Sequence, residues 1–136
     1  MDRIQAALSG SGAFAVTFAV SVVLLAVFAA VYSAMTSHQE MSLIRSGNKT
    51  AALSFGGALV GFVIPVGKAV AQSVSMTDLV VWSAIAFVAQ LVAYGAAALL
   101  VPHLRKSIET DHVASGILLA ALAIAIGVLN AAAMTL

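Results

Sequence analysis

Four long apolar runs, each bounded by charged or polar clusters, constrain this chain more than any other feature. They cover roughly residues 11–35, 51–72, 79–101 and 113–135. Each reaches the length of about 20 residues that a helix needs to cross a hydrocarbon core. Asp2 and Arg3 precede the first run, and Glu40, Arg45 and Lys49 separate it from the second. Asp78 stands between the second and third, and Arg105, Lys106, Glu109 and Asp111 lie between the third and fourth. Only Lys68 falls inside a run. A segment facing lipid must satisfy its own backbone polar groups, so all four runs are predicted to be α-helices.

Composition narrows the function classes. The chain is 62% hydrophobic and 8% charged, where a soluble domain carries about 25% charged residues. With a mean hydropathy of +1.12, its outer surface must meet a lipid bilayer. Most of the 136 residues lie in spans, which leaves no length for an ATPase or a large cofactor domain, and no cofactor is expected. The absence of cysteine removes disulfides, thiolate metal sites and cysteine nucleophiles. A net charge of +1 gives no bulk attraction to nucleic acid. The stretch "AAVYSA" imitates a signal-peptide cleavage site, but the apolar run before it exceeds the roughly 7–15 residues of such a signal. The first run is therefore expected to remain as an anchor.

The boundaries carry local signals. Ser75 and Asp78 have capping-box spacing before the third span. Asn48 or Thr50 is placed to cap the second helix, and Thr110 or Asp111 the fourth. In "SHQEMSLIRSGNK", Ser37 and Glu40 suit a capping box and Gly47 a helix stop. Met41, Leu43 and Ile44 would then lie on the membrane surface as a short interfacial helix. "PHLRKSIETD" reads the same way, with Pro102 at a helix start and Leu104 and Ile108 on one face. A solvated loop is the alternative for each. The connectors, about residues 36–50 and 102–112, hold Arg45, Lys49, Arg105 and Lys106. The opposite side holds Arg3, with Lys68 near it. This asymmetry predicts cytoplasmic connectors and both termini outside.

The two halves resemble each other. "SGNKTAALSFGGALVGFVI" and "IETDHVASGILLAALAIAI" each follow a basic connector, with Asn48-Lys49 opposite Asp111-His112 and Ala51 opposite Ala114. Each half is a span, a connector and a span, so the copies, about residues 11–72 and 79–135, are parallel repeats. Many secondary transporters use inverted repeats, so this weighs against a transporter without removing it. The predicted fold is all-α: four transmembrane helices built from two tandem parallel helical hairpins.

The segments "LIRSGNKTAALSFGGALVGFVIP", "WSAIAFVAQLV" and "DHVASGILLAALAIAIGVLNAAAM" together resemble the YjfL-type family. These are small bacterial inner-membrane proteins made of two tandem copies of a domain of unknown function. The resemblance spans nearly the whole chain. It implies a four-span inner-membrane protein and points to a cytoplasmic coat or membrane-stress protein as a partner. It brings no established activity, and Lys68 stands outside its pattern.

Small residues recur at four-residue spacing in every span: Ala26, Ala30 and Ala34; Gly57 and Gly61; Ala89, Ala93 and Ala97; Ala123, Gly127 and Ala131. Such spacing lets membrane helices approach closely, and four faces predict a homo-oligomer or a partner membrane protein. Ala is common in all helices, so a monomer whose alanines face lipid is the alternative. Lys68 lies about one turn from the end of its span. Its stem can snorkel to the interface, pair with Asp78, or line a polar cavity. Gln90 near mid-span and Asn130 in the fourth span are expected to bond neighbouring helices, with a permeation path as the alternative. His38, His103 and His112 lack ligand spacing and read as surface residues. No nucleophile, phosphate-cradling or dinucleotide motif is present, and enzyme activity is not expected. The sequence therefore predicts a membrane scaffold or subunit in membrane homeostasis or stress. Arg45, Lys49, Arg105 and Lys106 would contact lipid head groups or partners. A small oligomeric channel or transporter is the alternative.

Overall fold

The computed structural model describes residues 2–35, 40–72 and 75–134. Six helices follow in order: α1 (Asp2–Met35), α2 (Glu40–Arg45), α3 (Lys49–Gln72), α4 (Met76–Leu100), α5 (Leu104–Glu109) and α6 (Val113–Ala133). The four long ones, α1, α3, α4 and α6, are apolar enough to cross a membrane. No strand occurs among the described residues. The fold is all-α, as the hydrophobic runs require.

The first span begins well before the apolar run at residue 11. The 34 residues of α1 rise about 51 Å at 1.5 Å each, against a hydrocarbon thickness near 30 Å. Gly10 and Gly12 do not break it, and Ser9 and Ser11 donate to the carbonyls of Ala6 and Leu8 one turn back. Its first turns accordingly overrun the end of α3 on the side of the chain termini.

The tightest packing joins α3 and α6, which run parallel. Glycines make it possible. A Cβ on Gly57 would strike Ala120, one on Gly116 would strike Thr50, and one on Gly61 would strike the Ala123 backbone. Gly127 lies against the carbonyl oxygen of Gly61. That carbonyl has no intrahelical donor, because its partner four residues on is Pro65, which lacks an N–H. The helix nonetheless runs unbroken through Pro65, which is buried. The proline's missing bond and the glycine contact fall at one level of the bundle.

α4 completes the core with a stripe of Leu79, Ser83, Ala86, Gln90, Ala93 and Ala97, all buried. Their alternating spacing of four and three residues keeps one face turned inward. α1 is attached differently. Its Ala26, Ala30 and Ala34 are exposed, so they form no seam within this chain. Rings hold it instead. Phe28 stacks on Phe62 at 4.3 Å and meets Phe87 edge-on at 5.4 Å, and Tyr32 meets Tyr94 edge-on at 6.0 Å. Offset and edge-to-face pairs of this kind add roughly 0.5–1.5 kcal/mol each beyond area burial. Only the second half of α1 takes part, since every residue from Asp2 to Val16 is exposed.

Gly127→Val should lower stability in detergent micelles by about 1–3 kcal/mol, because a branched side chain must displace the α3 backbone. Gly67→Ala, at a position with nothing within 4 Å, should change it by less than about 0.5 kcal/mol. Equal shifts in thermal unfolding for the two variants would contradict the close-contact role.

Candidate functional site

The polar groups gather at two places: the connector end of the bundle, and a seam inside its other half. At the connector end both short segments are helical. Both dock on the bundle. Leu104 and Ile108 are buried in a cluster with Ala51, Ala97 and Leu119, and Leu43 and Ile44 pack against it. Met41 stays exposed. Two turns are marginal alone, so this docking is what holds α2 and α5. The expected Ser37–Glu40 capping box and His38 lie outside the described residues, apart from the Glu40 backbone that opens α2.

Both short helices end alike. Asn48 N–H donates to Leu43 O at 2.9 Å and Gly47 N–H to Ile44 O at 3.0 Å. In the second connector His112 N–H donates to Ser107 O at 2.8 Å and Asp111 N–H to Ile108 O at 3.0 Å. This is the Schellman arrangement, with its left-handed residue at Gly47 (φ 92°) and Asp111 (φ 58°). The hydrogen bonds thus set Asp111 opposite Gly47 and not opposite Asn48. The alignment read from sequence is one residue out at this point.

From these two stops the connectors cap each other. Asn48 Oδ1 accepts from Ala51 N–H at 2.8 Å, capping its own helix α3. Its Nδ2 donates at 2.7 Å to Ile108 O, at the end of α5. In return Asp111 Oδ1 accepts from Thr50 N–H at 2.9 Å and from Thr50 Oγ1 at 2.8 Å. Thr110 or Asp111 was expected to cap α6, but the Asp111 carboxylate caps α3 instead and Thr110 Oγ1 donates back to Lys106 O at 2.8 Å. The left-handed backbone at residue 111 turns the side chain away from the helix that follows. The α6 N-cap is His112, which makes no side-chain cap bond. Two smaller expectations resolve here as well. Ser75 caps α4 by accepting from Asp78 N–H at 3.1 Å. Pro102 lies in the turn before α5, whose N-cap is His103 in a left-handed conformation (φ 57°).

The exposed side of this end is basic. Arg45, Lys49, Arg105 and Lys106 all face outward, and Arg105 Nε lies 3.4 Å from Glu109 Oε1 in an exposed pair one turn apart. Such a pair contributes little to stability. Asp111 is held below its ordinary carboxyl pKa of 3.8. The cause is chiefly the Thr50 backbone N–H, then the Thr50 hydroxyl, with smaller help from Lys49. No group of three metal-capable side chains occurs among the described residues.

Inside the bundle, Gln90 Nε2 donates to Ala123 O across the α4–α6 seam at 3.1 Å. Gly61 makes room for it, since a Cβ there would lie 2.7 Å from that nitrogen. Among the described residues Lys68 forms no ion pair with Asp78, one of the courses expected of it. Its Nζ donates to Ala131 O at 2.6 Å and to Met134 O at 3.3 Å, capping the last turn of α6. Carbonyls in the last turn lack the donors four residues on and carry the negative end of the helix dipole, although Ala131 O also accepts from Met134 N–H at 3.3 Å. Asn130 is half-buried beside this cap, and no hydrogen bond reaches its Nδ2 among the described residues. Ser83, which no sequence motif marks, is buried and likewise unpartnered at Oγ.

These features define a small polytopic helical membrane protein with a folded basic cap at one end. Comparison with known proteins makes this specific. Residues 6–134 match the family model of the domain of unknown function DUF350. Over 123 residues, 90% of this chain and 93% of the relative, the chain is 37% identical to the UPF0719 inner membrane protein YjfL of Escherichia coli strain K12. The same figures hold for the protein of that name from strain O157:H7. No solved structure matches. The chain belongs to the DUF350 family and is a multi-pass inner-membrane protein.

Asn48→Ala should cost about 1–2 kcal/mol in unfolding, because it removes an N-cap and uncaps α5 together. For Asp111 the folded pKa is depressed, so its stabilisation is complete above the ordinary carboxyl value. It fades as pH falls through the lowered one. The unfolding midpoint of the wild type should therefore decline between about pH 5 and pH 3 more steeply than that of Asp111→Asn. Asn tolerates the left-handed conformation but carries no titrating charge.

Proposed function

We propose that the protein is a non-enzymatic membrane scaffold or subunit that engages anionic head groups or acidic cytoplasmic partners through its connector end. One observation carries this reading: α5 is anchored by buried Leu104 and Ile108 and α2 packs on the same cluster through Leu43 and Ile44, while Arg45, Lys49, Arg105 and Lys106 are all exposed at this end. A preformed charged surface on a rigid support loses less freedom on binding than a loose loop does. The excess of cations supports placing this end in the cytoplasm, with both termini outside. The exposed Ala26, Ala30 and Ala34 of α1 offer a second protomer or a partner membrane protein a face for close approach. A membrane-stress or coat protein is a fitting cytoplasmic partner.

The alternative, a small oligomeric channel or transporter, draws on the unpartnered polar atoms of Gln90 and Asn130. Two measurements separate the readings. Each Lys or Arg near an anionic surface contributes about 1 kcal/mol. The double variant Arg45→Glu, Arg105→Glu should thus lose at least roughly tenfold in binding to phosphatidylglycerol and in capture of cytoplasmic partners. Unchanged binding of both kinds would end the scaffold reading. Ion or solute flux in proteoliposomes that Gln90→Leu alters would favour the channel.

A further inference from the structure

The two halves of the chain share one plan, but they meet through different faces. The helices α2 and α5 begin at residues 40 and 104, and the left-handed stops fall at Gly47 and Asp111, so corresponding residues lie 64 apart. Under that offset Thr50, Gly57 and Gly61 of the α3 seam correspond to Ala114, Ala121 and Ala125 of α6. All three alanines are exposed. Conversely, Gly116, Ala120 and Gly127 of the α6 seam correspond to Ala52, Gly56 and Val63 of α3. Ala52 and Val63 are exposed and Gly56 is half-buried, and a Cβ on Gly56 would meet nothing within 4 Å. The seam is therefore heterologous. The first repeat uses one face, the second uses the other, and the complementary pair of faces is left free. α1 meets α3 elsewhere, through the stack of Phe28 on Phe62.

The free faces fit each other because they repeat the mated ones. Within the chain, Gly57 lies against Ala120 and Gly116 against Thr50. Between copies the corresponding pairs are Ala121 with Gly56 and Ala52 with Ala114. Both are pairs of small residues, which let membrane helices approach closely. Where Gly61 meets Gly127, the corresponding pair is Ala125 with Val63, so the approach there is wider. The connector end adds a polar group. His112 stands where Asn48 stands in the first repeat, and Asn48 Nδ2 reaches Ile108 O across the seam at 2.7 Å. His112 is exposed and makes no side-chain cap bond. The carbonyl that corresponds to Ile108 O is that of Ile44, at the end of α2. We propose that α6 of one copy packs on α3 of the next, with Ala114 and Ala121 against Ala52 and Gly56. His112 then faces the end of the neighbouring α2. A heterologous contact of this kind has no twofold axis and adds copies head to tail, in a ring or a row. It goes beyond the reading of the connector face and does not rest on it.

The chain has no cysteine, so introduced pairs report directly. In membranes oxidised with copper phenanthroline, the double variant Gly56→Cys, Ala121→Cys should give a ladder of dimers, trimers and higher species on non-reducing gels. A bridge within one chain would leave a monomer and add nothing to the ladder. Neither single variant should dimerise, because head-to-tail packing never sets residue 56 or residue 121 against its own counterpart. A disulfide needs Cα atoms about 4.4–6.8 Å apart. The pair Ala52→Cys, Ala114→Cys samples a second level and keeps the test valid should the first lie outside that range. Adding Ala121→Phe to this second pair should cut its ladder roughly tenfold, because the ring overpacks the contact. No ladder from either pair would overturn the proposal. So would single variants that dimerise as fully as the doubles, or a ladder that Ala121→Phe leaves unchanged.

Discussion

The contact between α3 and α6 governs the rest of the molecule. Where Gly57, Gly61, Gly116 and Gly127 bring two backbones together, the Gln90 amide reaches the Ala123 carbonyl and the Lys68 ammonium reaches the end of α6. At the connector end, the same approach brings Thr50 within reach of Asp111. Lipid tails are as apolar as Leu, so no hydrophobic drive pulls membrane helices together. Close packing and interhelical hydrogen bonds must do it. Glycines allow the approach that puts those bonds in range.

A division of labour follows along the bundle axis. At the connector end, caps cross between the halves, from Asn48 to the end of α5 and from Asp111 to the start of α3, beneath an exposed cationic surface. The opposite half leaves polar atoms buried and unmet, next to a lysine bound to a helix end. α1 stands apart from both, clipped on by Phe28 and Tyr32 through ring contacts. Its binding rests on aromatic shape and not on the backbone proximity that joins α3 to α6.

How much of this was legible depended on how local each cause is. The spans, the Ser75 and Asn48 caps and the stop at Gly47 could be read from a few neighbouring residues, because hydropathy and capping act over one or two turns. The glycines of α3 and α6 were legible as packing residues, though not which helix each would meet. The alanines of α1 carried the same spacing and remain exposed, because small residues permit close approach without compelling it. Asp111 was misassigned for a related reason. Its place before α6 suggests a cap for that helix, whereas its left-handed backbone directs the carboxylate to Thr50 in the other half. Ser83 was legible only as one hydroxyl among several in the spans, since a serine in an apolar run is unremarkable until its partners are counted.

The sequence by itself determined that the chain lives in a bilayer, crosses it as four helices and gathers its cations in the two connectors. Each of these follows from the transfer of local segments between water and lipid, and needs no knowledge of neighbours. Only the tertiary structure decided that Lys68 caps α6, that the two connectors cap one another, and that Gln90 bonds the Ala123 carbonyl. Those outcomes depend on groups 33 or more residues apart, such as Gln90 and Ala123, Asn48 and Ile108, or Lys68 and Ala131. No local preference selects among the distant partners that a polar group in lipid would accept.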